Sequence, residues 1–312
     1  MRVVFLGTPE FAVPSLRALV SRHEVVAVFT QPDRPKGRAQ QLAKSAVKSA
    51  AEELKIRVHQ PERVRRPESF ELLRSFHADI MVVVGYGQII PQAIIDLPRF
   101  GILNVHASLL PKYRGAAPIQ WAIANGEAET GVTIMRIDAG LDTGDMLLKG
   151  TLPIEPDDTA PMLSAKLAPL GAQLLLRAME DIQAGHSHPE KQDNAQATLA
   201  RILNKEDGTI DWKAPSQVIY NRFRGFNPWP GAYTNFRGQQ LSVTAMRLTD
   251  QSCIGARPGQ LMAVKKSLLA ACGDGSAIEL ITVQPAGKKP MNADAFLNGY
   301  KLETNETFGE LS

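Results

Sequence analysis

A chain of 312 residues, 44% hydrophobic and 21% charged, carries enough apolar material for one large or two medium cores. Its net charge of +3 is too small to imply a nucleic-acid partner by itself, and no apolar stretch reaches transmembrane length, so no membrane partner is expected. Cys253 and Cys272 lack CxxC spacing and a nearby histidine cluster; this argues against a disulfide framework or a cysteine-held metal and for two reduced thiols.

The chain opens on an apolar strand, Arg2–Leu6, which leaves no room for a leader and points to the cytoplasm. Gly7-Thr8-Pro9-Glu10 then turns into a helix through about Ser21. A nucleotide-binding turn would show GxGxxG here, but only one glycine is present and Pro9 removes an amide, which counts against a nicotinamide-dependent dehydrogenase. Val25–Phe29 is a second strand, followed by a Pro/Arg/Lys/Gly-rich loop, a helix near Ala46–Lys55, a short strand near Val58 and a helix near Glu68–Phe76. Between Gln31 and Arg66 stand ten Lys/Arg against four Asp/Glu, an excess that marks either a solvated face or a polyanion-facing surface.

Asp79–Val84 and Ile102–His106 are near-continuous apolar runs, as in a parallel sheet buried on both faces. Gly131–Ile137 and Asp145–Leu148 read as strands around the turn Asp138–Gly144. Apolar residues three and four apart mark a helix from about Thr159 to Gln183. The polar stretch Ala184–Asp207 reads as a linker, and beyond it Leu241–Leu248, Gly259–Val264, Leu268–Cys272 and Ala277–Val283 alternate as in a small β-barrel. The expected architecture is α/β: a Rossmann-like, mostly parallel sheet with helices on both faces over residues 1–189, a linker over 190–206, and a smaller OB-like barrel over 207–312.

Two polar residues, Asn104 and His106, interrupt the apolar strand Ile102–His106. Period-2 geometry puts both on one side, at the carboxyl end where open α/β sheets bind ligands. Asp142 lies in a turn after another strand, which the same rule places at that rim. An amide, an imidazole and a carboxylate suit acyl transfer, the first two as donors to an oxyanion and the carboxylate as the group that holds the imidazole charged. A Ser–His–Asp hydrolase would use Ser108, but no GxSxG elbow surrounds it.

Asn104-Val-His106-Ala-Ser-Leu-Leu-Pro111 followed by Gly140-Leu-Asp142-Thr-Gly144 resembles the folate-dependent formyltransferase superfamily. Phe5-Leu-Gly-Thr-Pro9, Thr30-Gln-Pro-Asp-Arg34, Phe226-Asn-Pro-Trp-Pro230 and Gln284-Pro-Ala-Gly-Lys288 extend the likeness over nearly the whole chain, leaving only the tail after about Asn298 unmatched.

The resemblance implies transfer of a formyl group from 10-formyltetrahydrofolate to the α-amino group of methionyl-initiator tRNA, without a metal and as a monomer. Carried over, Asn104 and His106 stabilise the oxyanion, and Asp142 keeps His106 protonated and helps move the proton. Ser108, Leu109, Leu110 and Pro111 border the folate; Tyr86, Gln88, Ile89 and Ile90, with Ala139, Gly140 and Leu141, enclose its pterin ring. Arg34, Lys36, Arg38, Lys44 and Lys48 resemble the family's basic loop towards the tRNA acceptor stem, with Arg38 first because a guanidinium bonds in a fork; Lys205 either faces the tRNA or is solvated.

Residues 206–312 hold 11 Lys/Arg against 10 Asp/Glu, so RNA contact there requires a local face such as Arg222, Arg224, Lys288 and Lys289. Trp212, Phe226 and Trp229 are open to core packing or base stacking. The competing readings are formylation of a small amine (glycinamide ribonucleotide or a nucleotide-linked amino sugar), a folate-consuming hydrolase, and a non-catalytic tRNA-binding module.

Overall fold

The computed structural model describes residues 1–36 and 41–309. They divide into two compact units, one of Met1–Ile119, Glu129–Ile154 and Met162–Ile202, the other of Gln120–Ala128, Glu155–Pro161 and Leu203–Ser312.

The first unit is built on seven strands: β1 (Arg2–Gly7), β2 (Glu24–Phe29), β3 (Val58–His59), β4 (Ile80–Val84), β5 (Ile102–His106), β6 (Glu129–Arg136) and β7 (Met146–Pro153), in the spatial order β7-β6-β5-β4-β1-β2-β3. Strands β1 to β5 are mutually parallel. Val3, Val4, Phe5 and Leu6 are all fully buried; because successive side chains alternate, both faces of β1 are covered. One of those faces packs Val4, Leu6, Ala27, Phe29, Met81 and Val83 against Leu73, Ile94 and Ile95.

Strand β6 departs from the expectation. It pairs antiparallel with β5, Leu103 opposite Arg136 and His106 opposite Thr133, so its carboxyl end lies beside the start of β5. The Asp138–Gly144 turn therefore does not leave the carboxyl rim that a parallel strand would have given it. Strand β7 is also longer than the expected Asp145–Leu148, running to Pro153.

The loops at the carboxyl ends of β1 to β4 are tied together. Thr8 Oγ1 and Gln31 Nε2 both donate to the Tyr86 carbonyl, at 3.1 and 3.0 Å, and Gln60 Nε2 donates to the Gln31 carbonyl at 2.9 Å. Ser45 caps the helix α1 (Ala46–Glu53) by accepting the Lys48 N–H. The expected linker is ordered against this same unit, with Glu190 paired to Met146 and Leu199–Ala200 paired in parallel with Arg114–Gly115.

In the second unit Ala232–Phe236, Gln239–Ser252, Leu261–Val264, Ser267–Ala271 and Ser276–Pro285 form an antiparallel sheet in which the first and third are the edge strands. The tail joins these edges: Gly309 bridges to Asn235 and Thr307 to Gln260. The curved sheet is thereby closed into the OB-like barrel, with Phe308, Trp212, Phe236, Leu268 and Phe296 inside. A helix at Ser216–Gly225, without a clear apolar period in the sequence, belongs to this unit; its buried Arg224 donates to the carbonyls of Glu155 and Asp158, so it does not join an RNA-facing surface. Trp212 and Phe226 are buried, whereas Trp229 is 55% exposed. Both cysteines are free and buried, and burial pushes the Cys272 thiol up to about 12. Among the described residues no helix is long and apolar enough to cross a membrane.

Candidate active site

Alternation along β5 sets Asn104 and His106 on one face, as the sequence predicts. His106 is 6% exposed. Its Nε2 lies 2.9 Å from the Tyr113 carbonyl oxygen, which only accepts, so Nε2 carries a hydrogen. Nδ1 faces Asp142 Oδ2 at 3.6 Å. Asn104 Nδ2 donates to Asp142 Oδ1 at 3.3 Å, and the Gly115 N–H donates to Oδ2 at 2.9 Å. The Asp142 carboxylate is thus the point on which an amide, an imidazole and a backbone N–H converge.

Asp142 reaches this position by a backbone detour, because its strand ends at the other side of the sheet. The turn is held from within: Asp138 accepts the Gly140 N–H and the Thr143 hydroxyl. Asp142 itself has φ 51°, a left-handed conformation costing a non-glycine residue about 1 kcal/mol or more. At Gly144 a Cβ would collide with the Arg136 carbonyl, so glycine is required by the close approach of these two segments.

On the other side of the histidine, Ser108 is fully buried and spends its hydroxyl on the Lys112 carbonyl at 2.6 Å, an arrangement that leaves no nucleophile. Thr133 Oγ1 donates to the Ser108 carbonyl and accepts the Leu110 N–H, pinning the loop before Pro111. Leu110 is buried, with Leu109 and Pro111 half-buried.

The residues expected to enclose a flat ring divide into supports and walls. The Tyr86 phenol is buried in the core, without a hydrogen-bond partner among the described residues, and burial raises its pKa. Gln88 is occupied by the Val64 N–H and the Pro61 carbonyl. Ile89 and Leu141, by contrast, are 90% and 62% exposed, and Ala139 and Gly140 are also exposed. Aliphatic side chains left uncovered beside fixed backbone fit an apolar, planar ligand.

The basic residues also divide. Arg34 and Lys205 are exposed. Lys44 pairs with Glu52 at 2.7 Å. The Lys48 ammonium is held by Asp33 at 2.5 Å and by Gln60 at 2.8 Å, and its side chain is only 16% exposed. The backbone of Lys36 pairs with Gln41 in a short hairpin, and Arg38 lies outside the described residues.

Sequence reasoning missed Tyr113, Arg114, Gly115 and Gln192. Gln192 Nε2 donates to the carbonyls of both Asp142 and Gly144 at 2.8 Å. Its Oε1 accepts from Arg114 Nε and Nη2 at 2.9 and 2.7 Å. Gln192 sits in a polar stretch with no periodic signal, and only Arg114-Gly115, in a run already rich in motif residues, offered a hint.

Residues 1–179 match the family model for formyl transferase, and residues 202–301 match that for the formyl transferase C-terminal domain. A methionyl-tRNA formyltransferase of Solibacter usitatus (strain Ellin6076) is 58% identical over 311 residues, covering 99% of each chain. One from Koribacter versatilis (strain Ellin345) is 52% identical over 314 residues and covers both chains fully, at 100%. Among solved structures, an N-formyltransferase from Helicobacter canadensis in complex with folinic acid and dTDP-3-aminofucose superposes with a TM-score of 0.66 at 22% identity, covering 91% of this chain and 98% of that one. At that identity the likeness is one of fold.

Proposed function

Because the chain belongs to the formyl transferase family, we propose that it transfers the formyl group of 10-formyltetrahydrofolate to the α-amino group of methionyl-initiator tRNA, an early step of translation initiation. The observation that carries this reading is full-length identity of 58% and 52% to relatives named for that activity. The convergence of Asn104 and His106 on Asp142 supports the chemistry.

In this reading the acceptor amine attacks the formyl carbon, forming a C–N bond and placing negative charge on the formyl oxygen. Asn104 Nδ2 has two hydrogens; one goes to Asp142 and the other meets the oxyanion. The His106 imidazole stands beside it. With Nε2 on the Tyr113 carbonyl and Nδ1 facing Asp142, it donates directly to the oxyanion only by exchanging one of those partners. Asp142 Oδ1, which among the described residues has the long bond from Asn104, accepts the amine proton and passes it towards folate N10, whose bond to the formyl carbon breaks. Tetrahydrofolate and the formamide leave, and charge and protons balance without a metal.

Ile89, Leu141 and the backbone of 139–141 wall the pterin, while residues 108–111 border the rest of the folate. Arg34, Lys36, Arg38, Lys44, Lys48 and Lys205 are the residues this reading assigns to tRNA phosphate; of those whose side chains are described, Arg34, Lys44 and Lys205 are exposed and Lys48 is half-buried. This reading also takes the protein to act as a monomer, in the cytoplasm where initiator tRNA is used.

A formyl-transfer assay with 10-formyltetrahydrofolate separates the readings. Methionyl-tRNA as the preferred acceptor is the expected result. Preference for glycinamide ribonucleotide or a nucleotide-linked amino sugar, formate release without an acceptor, or tRNA binding without transfer would each replace this reading with another.

A further inference from the structure

The stretch Glu190–Ala200 is polar and sequence-distant from the site, yet it touches both of the loops that surround His106. Glu190 exchanges backbone hydrogen bonds with Met146, just beyond the Asp142 turn. Thr198 Oγ1 accepts the Tyr113 N–H at 2.9 Å, and the Thr198 carbonyl accepts the Arg114 N–H at 2.9 Å. Between these anchors stands Gln192.

The direction of the Gln192 amide is fixed by its partners. Two guanidinium donors of Arg114 require Oε1 on their side, which turns Nε2 towards the Asp142 and Gly144 carbonyls. Arg114 is 7% exposed, and its Nη2 also donates to the Asn194 side-chain oxygen at 2.9 Å. The next residue, Gly115, donates its N–H to the Asp142 carboxylate. Arg114 and Gln192 therefore grip Asp142 from both ends, at the carboxylate through Gly115 and at the backbone through the amide. That backbone stands at φ 51°, a conformation it does not hold by local preference.

Resting on the formyl-transfer reading above, we propose that Gln192 is a positioning residue for that reaction. Oriented by Arg114, it holds the carbonyls of residues 142 and 144 so that the Asp142 carboxylate meets Asn104, His106 and the reacting amine.

The test is steady-state formyl transfer by the full-length chain, comparing wild type, Gln192→Glu, Asp142→Asn and the double variant. Gln192→Glu preserves length and the contact with Arg114 but exchanges both N–H donors for an oxygen. The expected result is a kcat roughly tenfold to a hundredfold lower, as misplacement by an ångström produces. KM for folate and for tRNA should stay within about twofold. The double variant should lose no more than Asp142→Asn alone, because both changes act on one carboxylate. Losses that multiply, a change confined to KM, or an unchanged kcat would overturn the proposal. If Gln192→Glu does not fold by circular dichroism, Gln192→Met, of similar volume and without donors, takes its place in the same comparison. Full activity in Asp142→Asn would sink the site reading itself and this inference with it; a crippled Asp142→Asn beside an unaffected Gln192 variant sinks the inference alone.

Discussion

The carboxylate of Asp142 faces the imidazole of His106 at 3.6 Å, and the oxygen that faces it also accepts the Gly115 N–H. One oxygen is thus saturated by the histidine side of the site. The other, Oδ1, has among the described residues only the 3.3 Å bond from Asn104, and in the proposed reaction it is the oxygen that takes the proton. In the proposed reaction this asymmetry gives the two donors on β5 different roles.

Asn104→Ala removes the amide hydrogen that the proposed reaction directs at the oxyanion, and it leaves the atoms of the Gly115 and Tyr113 contacts in place. Formyl transfer should fall by about 10²-fold, the usual cost of losing one oxyanion donor, with binding of a non-reactive folate analogue unchanged. His106→Ala should cost at least as much, since it removes the imidazole that faces Asp142. Single-turnover rates measure both, and near wild-type turnover in either folded variant would remove that residue from the mechanism.

Arg34 and Lys48 stand close in sequence but should behave differently. Lys48 is bound to Asp33 and Gln60, and its hydrogen bond, followed by that of Gln60, holds the Asp33 carboxyl below the usual carboxylate range. A carboxyl depressed in the folded state stabilises above its unfolded pKa, and that contribution is lost as pH falls through the folded value. Lys48→Ala should therefore lower the melting temperature at neutral pH and reduce the acid dependence of stability. Arg34→Ala should leave melting unchanged, weaken tRNA binding, and reduce the slope of log K against log salt by about one contact. Equal melting of wild type and Lys48→Ala would show that the ion pair carries no stability, and an unchanged salt slope in Arg34→Ala would take Arg34 out of the interface.

These contrasts indicate what was legible beforehand. Asn104 and His106 were, because a two-residue period converts spacing directly into a shared face. Asp142 was legible by residue type, but its position was argued from a parallel strand that proves antiparallel; the correct residue was reached by a turn that doubles back. Strand direction at the edge of a mixed sheet has no local signature, since β6 reads as the same buried apolar run either way. Gln192 was invisible for a related reason. Its meaning lies in carbonyls fifty and forty-eight residues away, and polar loop composition does not encode such contacts. Charge in the basic segment was plain, but which lysines were already paired depended on side chains brought together by the fold.

His59 offers a pH test outside the site. Its ring stacks on Phe29 at 5.1 Å and tilts against Phe76 at 5.5 Å, with Nε2 buried and without a hydrogen-bond partner among the described residues. Burial, reinforced by Arg57, lowers its pKa below the ordinary 6.5. The unfolded chain then takes up a proton before the folded one does, so stability falls as pH drops from about 6.5 towards the lowered folded value and the penalty is constant below it. His23 is lowered too, so the acid slope of the wild type contains both residues. His59→Phe should keep the stack and flatten part of that slope in melting curves between pH 7.5 and 5.5. An identical slope in the variant would assign the whole effect elsewhere.

The tail carries the last prediction, since it is the one part of the chain with no motif and yet it closes the barrel. Phe308 lies between the bridges of Thr307 to Gln260 and Gly309 to Asn235, and its ring stacks on Trp212 at 5.2 Å and meets Phe236 edge-on at 6.1 Å. Backbone bonds and the Arg237–Glu306 ion pair also fasten the tail, and the buried ring adds the apolar contact that seats it across the edge strands. Phe308→Ala should destabilise the second unit by about 3–5 kcal/mol, the range for emptying a buried aromatic site. Urea unfolding followed by tryptophan fluorescence reads the change, because Trp212 reports on the same cluster. The midpoint should fall while activity of the folded fraction under native conditions persists, because every group holding Asp142 belongs to the first unit. A midpoint unchanged by Phe308→Ala would mean that the tail is held by its backbone bridges and the Arg237–Glu306 pair without the ring.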